Sequence, residues 1–158
     1  MTTLLELFAD LPTEEVPAGD ILIAEGSMSE RLCVLVSGAV VMERGGTTFA
    51  RIDSPGALFG EMSWILDKPA TATARASTDV VMHVVSDPAS FFRERPEAAL
   101  SVLQMTAGRL DGLTQYLVDL KLEYTGSHGD AGLIDQILDS LVHHQAPRPR
   151  KGSGSDSR

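Results

Sequence analysis

Cysteine occurs once in the 158 residues, at Cys33, and aromatic side chains make up only 5%. A lone cysteine cannot close an intramolecular disulfide, so no covalent brace is available and stability must come from packing. Cys33 stands in the apolar run Leu32-Cys33-Val34-Leu35-Val36, the setting of a small buried thiol rather than a reactive one. Long hydrophobic runs are missing too. None approaches the roughly 18 to 20 apolar residues a membrane span needs, and Met1 to Asp10 lacks the basic start and apolar stretch of a secretory signal. Basic residues are outnumbered, 13 Lys and Arg against 22 Asp and Glu, for a net charge of −9 and a sequence pI near 4.8. A field of that sign repels phosphate backbones and anionic lipid. The expectation is a soluble, cytoplasmic chain with neither nucleic acid nor membrane as a direct partner.

Catalytic constellations are absent as well. No serine elbow, paired-carboxylate arrangement or phosphate loop ending in Gly-Lys-Ser/Thr occurs, so no catalytic residue is assigned and no enzymatic activity is expected. His143 and His144 are adjacent, which on a helix points them about 100° apart, and with the distant His128 they make no convincing metal set. A metal enzyme built on inward-facing strand histidines has only His83 to draw on in the strand-rich region. Neither a metal nor a cofactor is expected.

What is present is a rhythm. From about Glu14 to Ser86, turn signals recur every eight to twelve residues: Ala18-Gly19-Asp20, Glu25-Gly26-Ser27, Ser37-Gly38, Arg44-Gly45-Gly46 and Ser54-Pro55-Gly56. Between them lie apolar and β-branched pieces, Ile21 to Ile23, Leu32 to Val36, Val40 to Met42, Thr47 to Ile52 and Val80 to Val85. Short strands so spaced form a sandwich or barrel. With 43% hydrophobic residues the chain can bury one real core.

After Ser86 the period changes. Asp87-Pro88 reads as an N-cap followed by a proline at the first helical position, and Pro96 opens a second helix. From Leu103 an apolar stripe runs through Thr106, Leu110, Leu113, Leu117, Leu120 and Tyr124 at steps of three and four. Such a stripe can cover the roll or serve as a homodimer seam, and both can hold together. Asp111, Asp119, Lys121 and Glu123 fall on solvated faces. Gly126 to Gly129 reads as a linker, Leu133 to Val142 as a short helix and Pro147 to Arg158 as a flexible tail.

The stretch Phe59-Gly60-Glu61-Met62-Ser63-Trp64 through Pro69-Ala70-Thr71-Ala72 and on to Ala76 reads as a strand end, a glycine, a helical turn, a loop and a return strand. A glycine opening a short helix permits close backbone approach, and the free first-turn amides suit an anion. Glu61 at the start of that turn can accept from sugar hydroxyls and also complements the helix dipole. Trp64 reads either as a ligand-stacking ring or, more commonly for such a residue, as an aromatic that fills the core or covers a neighbouring helix.

Taken together, the order of turns, the Gly-Asp and Glu-Gly pairs, the Val-Ser-Gly hairpin and Phe-Gly-Glu resemble the cyclic-nucleotide-binding domain family, over about Phe8 to Tyr124. The catabolite-activator type regulators and the regulatory subunits of cyclic-AMP-dependent kinase belong to it. The resemblance implies an α+β fold: an antiparallel β-roll, jelly-roll-like, with a short cassette helix and C-terminal helices. It divides the chain into a binding domain with its long helix at 1–124, a linker and short helix at 125–144, and a tail at 145–158. It also implies that Phe59, Gly60, Glu61, Met62, Ser63, Ala70, Thr71 and Ala72 line the ligand site, with Glu61 on the ribose 2′-hydroxyl. The family's phosphate-binding arginine follows the loop proline, and here that position is Ala70. Thr71 can still offer a hydroxyl, whereas Arg75, at an odd offset along the return strand, is expected to face away.

The implied activity is a non-catalytic regulatory module that binds cAMP or cGMP and signals through its C-terminal helices. It is expected to form a homodimer through Leu103, Leu110, Leu113, Leu117 and Leu120. The alternative, supported by Ala70, is a nucleotide-free domain that serves as a dimerisation or protein-interaction scaffold. Only 34 residues follow Tyr124, too few for the helix-turn-helix unit of about 70 residues that the DNA-binding members append, so direct DNA contact is not expected.

Overall fold

The computed structural model describes residues 2–124 and 132–143. The expected histidines 128 and 144, the glycine linker and the tail lie outside these. The first element, α1 (Leu4–Leu7), begins at a capping box, with Thr3 donating its amide to the Glu6 carboxylate at 2.7 Å and receiving the Glu6 amide on its hydroxyl.

Eight strands follow: β1 (Thr13–Val16), β2 (Ile21–Ile23), β3 (Leu32–Ser37), β4 (Val40–Arg44), β5 (Thr47–Ile52), β6 (Leu58–Phe59), β7 (Thr73–Ala76) and β8 (Val80–Val85). They form two antiparallel sheets of four, in the orders β1-β8-β3-β6 and β2-β7-β4-β5, an open roll rather than a closed barrel. The expected β-roll is therefore present.

Between the sheets lie Leu22, Cys33, Leu35, Val40, Phe59, Ala74, Ala76, Val80, Met82 and Val84. β3 carries four buried residues in succession, Leu32 to Leu35, because both its faces are covered. Cys33 and Leu35 join the inter-sheet core, and α1 packs on the strand with Phe8, fully buried, at its end. Burial pushes the Cys33 thiol up to about 11, which keeps it protonated and unreactive.

The hairpin at Ser37-Gly38 needs its glycine for two reasons. Gly38 has φ +94°, and a Cβ there would stand 2.3 Å from the Asp79 carbonyl oxygen, at the turn into β8.

Among the helices, α2 (Glu61–Leu66) lies between β6 and β7, and α3 (Pro88–Glu94) and α4 (Pro96–Tyr124) follow β8. Asp87 caps α3 by accepting the Ser90 amide at 3.2 Å, with Pro88 at the first turn. Pro96 opens α4 as expected. The last element is α5 (Gly132–His143).

The chain falls into two compact units, one up to Leu103 and one from Gln104 onward. In the second, Lys121 of α4 pairs with Asp135 of α5. Along the expected seam, Leu103, Leu110 and Leu113 are exposed, Leu120 is half-buried and Leu117 is buried. No helix among the described residues is long and apolar enough to cross a membrane. Among the same residues no group of three or more His, Cys, Asp or Glu is placed to hold a metal.

Candidate functional site

The candidate site is built where β6 ends. Phe59, buried and paired with Cys33 of β3, fixes the strand end, and the chain then turns through Gly60 into α2. Gly60 adopts φ +88°, a left-handed conformation that a side chain makes costly. Its Cβ would meet the Arg31 carbonyl oxygen at 2.7 Å, the Ser29 hydroxyl at 3.1 Å and the Ile23 Cδ1 at 3.4 Å. The loop between β2 and β3 thus occupies the side that a Cβ would take, and its closeness accounts for the glycine. The same Ile23, Ser29 and Arg31, with Ser86, line a recess of about 420 Å³ along that loop, which none of the residues from Phe59 to Ala72 lines.

Glu61 opens α2 and is buried, only 4% exposed, while Met62 turns outward. A buried carboxylate at a helix start favours hydroxyl and amide donors and complements the dipole. Ser63 is equally buried, and its hydroxyl is used by the protein: it donates to the Lys68 carbonyl at 2.6 Å and accepts the Ser29 amide at 3.2 Å. α2 stops at Asp67, which takes φ +50°, and Lys68 then returns its amide to the Ser63 carbonyl at 3.1 Å.

Beyond Pro69, Ala70 is half-buried and joined in both directions to the β2–β3 loop. Its amide donates to the Ser27 carbonyl and its carbonyl accepts from the Gly26 amide, each at 2.8 Å. Its methyl group offers nothing to a phosphate. Thr71 is exposed and Ala72 half-buried. Within β7 the alternation is strict, Ala74 and Ala76 buried and Thr73 and Arg75 outward. Thr73 accepts the Glu25 amide at 3.0 Å. Arg75 pairs with Glu43 at 3.4 Å and donates to the Gly19 carbonyl at 2.9 Å, so it faces away from the core as its offset implied. Arg31 and Arg51 of the roll are likewise paired, with Glu14 at 2.8 Å and Asp53 at 3.3 Å.

Trp64 is half-buried and packs on a neighbouring helix. Its ring lies 5.5 Å from that of Phe92, Phe92 lies 5.4 Å from Phe91, and Phe91 lies 4.7 Å from Phe8. Arg95, between α3 and α4, stacks over Phe91 at 5.0 Å, donates to the Leu7 carbonyl at 3.1 Å and grips Asp10 with both terminal nitrogens. A continuous row of side chains therefore joins the helix of the site to α3, to the start of α4 and to α1. Asp10, Ser29, Phe91, Phe92 and Arg95 carry no motif and went unnoticed in the sequence. The aromatic pair Phe91-Phe92 in a helix capped by Asp87 is the signal that could have found them.

The family model described as the cyclic nucleotide-binding domain matches residues 13–94. A "CRP-like cAMP-activated global transcriptional regulator" of Mycobacterium tuberculosis is 31% identical over 120 residues, covering 72% of this chain and 54% of that protein. The chain thus spans about half the length of that relative. The Thermus thermophilus catabolite activator protein superposes with a TM-score of 0.61 at 27% identity, over 76% of this chain and 57% of that one. The N-terminal domain of a transcriptional regulator from Streptomyces coelicolor A3(2) does so with a TM-score of 0.54 at 32% identity, over 68% and 81%. With a matching model over more than half its length and relatives of this likeness, the chain belongs to the cyclic nucleotide-binding domain family.

Proposed function

We propose that this domain is a regulatory module that binds a cyclic nucleotide, cAMP or cGMP, against α2 and passes its occupancy to α3 and α4. The observation that carries the reading is the buried Glu61 directly after Gly60, on a helix whose Trp64 stacks on Phe92. Glu61 supplies an acceptor for a ribose hydroxyl, and the first-turn amides of α2 supply donors for the cyclic phosphate. Phe59, Met62, Thr71 and Ala72 border the site as the family resemblance implies. The relative from Mycobacterium tuberculosis, cAMP-activated by its name, supports the choice of ligand class.

Signalling is a population shift. A ligand that binds one arrangement of α2 more tightly than another biases whatever is packed on Trp64, by no more than its differential affinity for the two. No step of this calls for catalysis. Calorimetric titration of the chain with cAMP and with cGMP tests the proposal. Saturable binding that Glu61→Gln weakens supports it, and the absence of heat with both nucleotides removes it.

A second reading has its own observation. Ala70 offers no phosphate contact, and Leu103, Leu110 and Leu113 stay exposed on α4. In that reading the roll is a nucleotide-free scaffold and the exposed seam holds a second copy or a partner protein. A stable dimer indifferent to both nucleotides favours it.

A further inference from the structure

Ser63 is a polar residue in a place where the surrounding chemistry gives a hydroxyl no reason to be, unless it is used. It is 4% exposed and lies in the first turn of α2, and a buried hydroxyl without partners is costly. Both its hydrogen-bonding capacities are filled by backbone. The hydroxyl donates forward to the Lys68 carbonyl, past the end of the helix, and accepts from the Ser29 amide, in a loop 34 residues earlier.

Three further links run between the same two segments. The Ala70 amide and carbonyl pair with Ser27 and Gly26, and the Ser29 hydroxyl, itself donating to the Arg31 carbonyl, rests against Gly60. The loop from Ala24 to Arg31 and the segment from Gly60 to Ala70 are thereby closed on each other, and Ser63 is the side chain at the centre of the closure.

We infer that Ser63 is a positioning residue: its hydroxyl, held by Ser29 and Lys68, fixes the geometry of the segment from Gly60 to Ala70 so that the site is formed before any ligand arrives. The hydroxyl therefore acts through the backbone and touches no nucleotide. This deepens the proposed function, resting on it only where ligand affinity is concerned. A preformed site spares the ligand the cost of ordering residues 67–71, which bears on affinity where the phosphate contact of a side chain at position 70 is missing.

Amide hydrogen exchange on the nucleotide-free chain, comparing wild type, Ser63→Ala and Ser63→Thr, tests the inference without assuming a ligand. In Ser63→Ala, exchange at the amides of Ser29, Asp67, Lys68 and Ala70 rises by about ten- to a hundredfold, the size expected when one group loses two hydrogen bonds, while β3 and β8 keep their protection. Unchanged exchange at those amides in that variant overturns the inference. Should Ser63→Ala lose protection throughout the roll, Ser63→Thr decides: wild-type protection in both segments upholds the role of the hydroxyl, and fast exchange there overturns it. Titration of the same variants with cAMP separates the two claims. A fall in affinity in Ser63→Ala that parallels its exchange, and recovers in Ser63→Thr, supports both. Failure of wild type itself to bind cAMP or cGMP removes the proposed function and leaves the exchange result standing.

Discussion

Trp64 of α2 and Phe92 of α3 face each other with ring centroids 5.5 Å apart at 40°, and this contact ties the helix of the candidate site to the helix that leads into α4. It is the first step of a row of rings that continues through Phe91 to Phe8. Tilted aromatic pairs of this spacing contribute about 0.5–1.5 kcal/mol beyond the area they bury.

Replacing Phe92 by Leu keeps most of the bulk and removes the ring. The expected loss is about 1 kcal/mol of unfolding free energy in urea, with the slope of the transition unchanged. Because Trp64 is the only tryptophan, its fluorescence reports the same event, and Phe92→Leu is expected to change its emission in the folded protein.

Asp10 and Arg95 give the fold a pH signature. The Arg95 guanidinium holds the Asp10 carboxyl down to about 2 from its usual 3.8. A carboxylate with a lower value in the folded state stabilises the protein above its unfolded value, and that contribution is lost as pH falls from about 4 to about 2. Both groups sit at the surface, so the effect is modest and salt-sensitive. Melting temperatures of wild type and Asp10→Asn, measured from neutral pH down to about 2, should differ at neutral pH and converge toward pH 2. A constant difference down to pH 2 contradicts the pairing.

Gly60 is expected to resist substitution whether or not a ligand binds. Gly60→Ala places a Cβ 2.7 Å from the Arg31 carbonyl on a backbone at φ +88°. The conformation alone costs about 1–2 kcal/mol, and relieving the contact adds to it by moving the β2–β3 loop. Urea unfolding of the ligand-free variant checks this. A loss of stability absent without ligand would place the role of the glycine in binding alone.

Much of this was legible in the sequence, and the reasons it stopped being legible are physical. Strands β2 to β5 and β8 announced themselves because apolar pieces alternate with glycine turns, and α3 and α4 because Asp87-Pro88 and Pro96 mark their starts. β1 gave no such sign, since Thr13-Glu14-Glu15-Val16 is an edge strand with half its side chains in water. At the site, Gly60 and Glu61 stood out by their spacing, but why Gly60 is glycine did not. The contact that demands it comes from Ser29 and Arg31 in another loop. Likewise, the bond from Ser63 to Ser29 spans 34 residues and that from Arg95 to Asp10 spans 85, distances over which no periodicity speaks. Leu117 shows the converse: its place in the stripe was evident, but not that it would be buried while Leu110 and Leu113 stay exposed.

That difference shapes the expectation for association. If α4 forms the seam of a homodimer, the exposed Leu110 and Leu113 carry it more than the already buried Leu117. Sedimentation of Leu110→Glu with Leu113→Glu should then give a monomer that keeps the wild-type strand signal in circular dichroism. A dimer unaffected by both changes places the interface elsewhere.

The most direct measurement of the central claim, that this site holds a cyclic nucleotide, is calorimetric titration of wild type and Ala70→Arg with cAMP and cGMP side by side. A charge-assisted contact to phosphate contributes about 1.5–3 kcal/mol, roughly ten- to a hundredfold in affinity. Saturable binding to wild type at one site per chain is expected, with tighter binding, by about that factor, to Ala70→Arg. Binding by the variant alone, or by neither protein, would contradict the claim.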